Sequence, residues 1–114
     1  MRKITNQELI NSLVVATEQD RIDWEPSGTV DQFTASFGGK WTLLFDKTED
    51  DEGEHFWLDV KTSEGETIVR ITPHDDSRIP ALFEAVRRYA LKIDKALADL
   101  LKEIEGPPKR SSST

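Results

Sequence analysis

Cysteine is absent from the chain. That excludes a disulfide framework, a thiolate zinc site and a cysteine nucleophile. An excess of basic residues is lacking too. Lys and Arg number 15 against 22 Asp and Glu, giving a net charge of −7. This balance repels phosphate backbones and speaks against DNA or RNA as a partner. No apolar run approaches the roughly 18 residues of a membrane span. After Arg2 and Lys3 the N-terminal stretch turns polar at once, so no secretory hydrophobic region is expected. A cytoplasmic protein with no membrane partner is the expectation.

Recognisable catalytic machinery is also missing. No serine sits in a nucleophile-elbow context. Gly38-Gly39-Lys40 lacks the rest of a phosphate-binding loop and reads as a hairpin turn. The acidic run Glu49-Asp50-Asp51-Glu52-Gly53-Glu54 lacks EF-hand spacing and reads as a solvated loop within 46–54. His55 and His74 are the only histidines, and a joint role requires their two segments to meet in space. The chain therefore reads as a non-enzyme with no cofactor and no metal site.

What is present is a core of ordinary size. A chain of 114 residues fits one domain. We place it at 1–106, with 107–114 (PPKRSSST) as a disordered tail. The stretch from His55 to Thr72 organises the rest. Phe56, Leu58 and Val60 alternate with Trp57, Asp59 and Lys61. After Ser63-Glu64-Gly65-Glu66, Val69 and Ile71 alternate with Ile68, Arg70 and Thr72. Period-two alternation in β-branched and aromatic residues makes a half-buried hairpin.

The flanks follow the same logic. Thr5 and Glu8 have capping-box spacing, and Ile4 with Leu9 fits a hydrophobic staple. The apolar face that follows predicts a helix ending near Glu18 or Gln19. Asp20–Glu25 reads as extended, with Ile22 and Trp24 pointing the same way. Val30–Phe37 and Lys40–Asp46 read as strands joined by a Gly38-Gly39 turn. Pro80 opens a long helix whose apolar residues recur at three and four until Gly106-Pro107 stops it.

The fold class is therefore α+β: an N-terminal helix, an antiparallel meander of four or five strands, and a long C-terminal helix. Both helices are expected on one sheet face. A helix of about 25 residues spans roughly 38 Å, whereas a strand of five or six residues spans about 17–20 Å. If the helix runs along the strands, Leu97, Leu100, Leu101 and Ile104 overhang the sheet. Either the first helix covers them, or a second copy does, making a homodimer. On the opposite sheet face, Leu44, Trp57 and Ile68 form a candidate partner-binding patch. The competing reading is that they stand singly, or that Ile22 and Trp24 fold over them.

From Ala16-Thr17 through Ile22 and Trp24 to Leu82 and Arg87-Arg88, the chain loosely resembles small uncharacterised bacterial and phage-associated helix–sheet–helix proteins. That resemblance implies no activity, cofactor or catalytic residue. The alternation is also similar to that of acidic secretion chaperones, which are α+β dimers, although the helix they carry between strands is missing here. The functional expectation is a small protein–protein interaction module that binds a protein partner or itself. One alternative is an acidic immunity or antitoxin-like inhibitor acting through Asp50-Asp51-Glu52. Another is a small-ligand binder or enzyme using His55 or His74.

Overall fold

A computed structural model describes residues 2–28 and 31–106. Val30 and the 107–114 tail lie outside the described residues. Helix α1 spans Asn6–Glu18. Five strands follow: β1 Glu25–Pro26, β2 Gln32–Phe37, β3 Trp41–Asp50, β4 Gly53–Thr62 and β5 Thr67–Ile71. They form one antiparallel sheet in the order β1-β2-β3-β4-β5. Helices α2 (Ile79–Ala90) and α3 (Ile93–Glu105) close the chain. The fold is α+β, as the patterning implied.

Local chemistry sets the first elements. The Glu8 amide donates to Thr5 Oγ1 at 3.1 Å, and the Thr5 amide donates to Glu8 Oε1 at 3.1 Å. This is the reciprocal capping box, which satisfies two amide donors at the start of α1. Ile4 remains exposed. Gly38 and Gly39 hold φ of 59° and 69°, and the Lys40 amide closes the turn on Phe37 O at 3.1 Å; because Phe37 faces Trp41, the connection is three residues, Gly38 to Lys40, rather than the two expected.

The register defines two faces. Phe33, Phe45, Leu58 and Ile71 stand opposite one another across four strands, and so do Ala35, Leu43, Val60 and Val69. These rows form the inner face. The Phe83 ring of α2 meets Phe33, Phe45 and Phe56 at centroid distances of 5.6, 5.2 and 5.5 Å. Ile10 and Leu13 of α1 join the same buried cluster. Edge-on ring packing adds to the gain from burying these apolar side chains.

Helix α2 crosses the strands rather than running along them. The start of α2 follows the end of β5, and Asp76 donates its amide to Thr72 O. Near the other end of α2, Arg87 reaches Asp31 beside β2, at 3.9 Å. Four strands at about 4.8 Å spacing are spanned by one helix of about three turns. The length of α2 is thus matched to the width of the sheet.

Four further expectations need correction. The long C-terminal helix is two helices. Lys92 adopts a left-handed conformation, φ 54° and ψ 42°. The Leu91 and Lys92 amides close the end of α2 on Arg87 O and Tyr89 O, at 3.0 and 3.1 Å. No glycine or proline marks this break, and the apolar spacing Val86, Ala90, Ile93, Leu97 passes straight through it. The two C-terminal helices also differ in burial: α2 packs on the sheet, whereas α3 has no buried residue.

The first helix does not cover the overhang. Leu97, Leu100, Leu101 and Ile104 are 51–70% exposed, because α1 lies beside α2 and ends where α3 begins. The acidic run is not a loop. It is the far end of the β3–β4 hairpin, paired up to Asp50↔Gly53 and turned by Asp51-Glu52. Lys47 and Glu54 pair at 2.9 Å there, and opposite charges on adjacent strands favour continued pairing. Finally, Ile22 and Trp24 do not fold over the outer face. Both are buried, and the Trp24 ring lies 6.2 Å from the inner-face Phe45.

Candidate functional site

The outer face carries Leu44 and Trp57 as diagonal neighbours, since Leu44 faces Asp59 and Asp46 faces Trp57. Both are half-buried. Ile68 is 51% exposed and falls at the β5 bulge, with no residue of β4 opposite it in the register. A polar pair separates Ile68 from the other two. Arg70 donates from Nε and Nη2 to Asp59, at 2.7 and 2.9 Å. Its guanidinium lies 5.3 Å from the centroid of Trp57, within cation–π range. Beside Trp57, Gln32 Nε2 donates to Asp46 Oδ2 at 3.1 Å. Leu44 and Trp57 thus come together, but a polar lattice surrounds them.

The far end of the β3–β4 hairpin forms a second surface. A groove of about 640 Å³ is lined by Asp50, His55, Trp57, Arg70 and His74 among others. The two histidine-bearing segments therefore do meet in space. His55 Nε2 lies 3.0 Å from Asp50 Oδ1. That imidazole, followed by the Glu52 amide, holds the Asp50 carboxyl below its ordinary value. One donor atom from each of Asp50, Glu52 and His55 lies within 4.8 Å of the others. Imidazole with carboxylates suits a zinc-like or first-row transition ion, although all three side chains are exposed.

Helix α3 is the third surface. Leu97, Leu100, Leu101 and Ile104 share one face of a 3.6-residue helix. Its first turn is tied back to α2 by the Arg88–Asp94 ion pair. Lys95 and Asp99 pair at 3.1 Å on its far side.

A fourth surface was not found in the sequence. Between α1 and the β2–β3 end of the inner face runs an apolar groove of about 560 Å³. Leu9, Leu13, Ile22, Trp41, Leu43 and Val60 line it. Phe37 and Trp41 belong to the inner face by register, yet both are exposed. Alternation placed both aromatics on the inner face, but nothing in the sequence told that no helix covers them there. Alternation alone gives the face of a residue, not the reach of the helix above it.

Among the described residues, no buried side-chain nitrogen or oxygen lacks a hydrogen-bond partner. None of their helices is long and apolar enough to cross a membrane. No family model, curated protein or solved structure matches the chain.

Proposed function

We propose that the chain is a non-enzymatic protein–protein interaction module whose contact element is α3. One observation carries this reading. A 13-residue helix holds four large apolar side chains on one face and buries no residue at all. A helix of that length is marginal in water by itself. Covering four half-exposed Leu and Ile side chains contributes about 1 kcal/mol each. Contiguous exposed apolar surface of this kind marks association sites. The outer-face pair Leu44 and Trp57 is the lesser candidate, because ion pairs and hydrogen bonds already surround it.

The test is co-purification with a tagged chain, comparing wild type with a Leu97→Asp, Leu100→Asp double variant. Both positions are exposed, so the fold is expected to survive. Partners, including an untagged copy of the chain, should be retained by wild type and lost by the variant. Equal retention by both sinks the reading.

A second reading has an observation of its own in the groove that His55 and His74 share with Asp50. In that reading the hairpin end takes a metal ion through Asp50, Glu52 and His55. Calorimetric titration with zinc chloride should show saturable binding that His55→Ala abolishes. Identical heats for wild type and variant remove the reading.

A further inference from the structure

We infer that α3 docks on a second copy of this chain, in the apolar groove along α1 of that copy, and that the exchange is reciprocal. This rests on α3 being the contact element and names what that element contacts. The chain carries two uncovered apolar surfaces, one convex and one concave. The convex one is the α3 stripe; the concave one lies between α1 and the sheet. A foreign partner that covered one of them would leave the other bare. A two-fold exchange between copies covers both at once, because each copy gives a helix and receives one.

Size agrees. A cavity of roughly 150 Å³ admits one benzene-sized group, so the 560 Å³ groove admits several side chains of leucine size. The stripe offers four over two turns, from Leu97 to Ile104, a length of roughly 10 Å.

Charge selects the groove over a second α3. At about 100° per residue, Glu103 borders the stripe on one side and Glu105 on the other, where Asp94 is already paired with Arg88. Lys95 and Lys102 fall on the opposite side of the helix, where Lys95 already pairs with Asp99. Two α3 stripes set face to face would bring like-charged borders together, which disfavours that pairing. The groove has one charged lining residue, and it is Arg21. An acid-bordered stripe and a groove rimmed by arginine are complementary.

The break at Lys92 sets the direction of α3. A continuous helix would carry the stripe on in line with α2. The left-handed residue ends α2 and starts α3 on a new axis. The groove lies along the Leu9, Ser12, Leu13 and Ala16 side of α1, whereas Val14 and Glu18 of α1 face α2 across a separate small cavity lined also by Ala81 and Ala85.

The absence of native cysteine makes the test direct. Two single variants are made, Ser12→Cys on the groove and Ala96→Cys on the border of the stripe, both at exposed positions. One is tagged, and a short bismaleimide is added to each variant alone and to an equal mixture. The expected result is a tagged–untagged heterodimer in the mixture that exceeds either homodimer, and its loss when Leu100→Asp is added to the Ala96→Cys chain. Self-linkage of Ala96→Cys alone, matching the mixture, would overturn the groove as the site while keeping α3 as the contact element. An internal link in a chain carrying both cysteines, with a light-scattering mass of 13.0 kDa at all concentrations, would overturn the second copy. No link in any combination, at that same monomer mass, also overturns it. In that case co-purification with the Leu97, Leu100 double variant decides separately whether α3 binds anything.

Discussion

Arg70 grips Asp59 with two parallel hydrogen bonds across the β4–β5 pair, and the carboxylate beneath it is only 1% exposed. A buried charge is tolerable when it is paired and hydrogen-bonded. Here the partner comes from an edge strand and remains half in solvent. The pair also lifts the Arg70 guanidinium further above its ordinary value, with the Asp59 hydrogen bond as the main cause.

Removing Arg70 should therefore cost more than removing both residues. Arg70→Ala leaves a buried carboxylate without its partner, and a loss of about 3 kcal/mol is expected. The Asp59→Ala, Arg70→Ala double variant should recover part of that loss. Urea denaturation of the two single variants and the double variant measures the coupling. Additive losses would mean that the two side chains stabilise the sheet independently.

The start of α2 should confer a pH dependence. Arg78 donates to Asp76 from Nε at 3.0 Å and from Nη2 at 2.7 Å, and also reaches Asn11 and Gln7 O of α1. These bonds to Arg78 hold the Asp76 carboxyl below its ordinary value of 3.8. A depressed folded-state value contributes stability that is fully present above the ordinary value. It disappears as pH falls through the depressed one. Asp76→Asn should therefore destabilise by about 1–3 kcal/mol near neutrality. Its deficit against wild type should vanish in strong acid. Denaturation midpoints across that pH range provide the check, and a constant deficit would assign the effect to packing.

Thr17 is buried in α1 because it accepts a hydrogen bond from Trp24 Nε1 at 3.1 Å. Thr17→Val keeps the shape and leaves a buried indole N–H unpaired. A loss of about 1–3 kcal/mol is expected, with Thr17→Ser close to wild type. Thermal melts of the two variants separate the hydroxyl from the methyl.

Much of this was legible, and the failures share a cause. Alternation assigned Phe33, Leu43, Phe45, Leu58 and Ile71 to the covered face, and spacing assigned the Thr5 cap. Even the Asp59–Arg70 pair was within reach. Counting back from Thr62 opposite Thr67 sets residue 59 against residue 70, and the bulge leaves that pairing intact. What period and spacing do not encode is direction. The crossing of α2 over the strands, and the turn at Lys92, depend on how Phe83 nests among three rings and on one backbone angle. The α3 stripe was therefore visible as a stripe, while the groove stayed hidden, because its walls come from α1 and from strands distant in the sequence.

Both margins of the sheet are poor templates for a further strand. At one margin, β1 is two residues long and includes Pro26, which has no amide hydrogen to offer. At the other, β5 is interrupted at Ile68 and carries Arg70, two devices that discourage edge-to-edge growth. The consequence is a sheet that ends at its own margins and does not recruit the strands of neighbouring molecules into an open-ended ribbon.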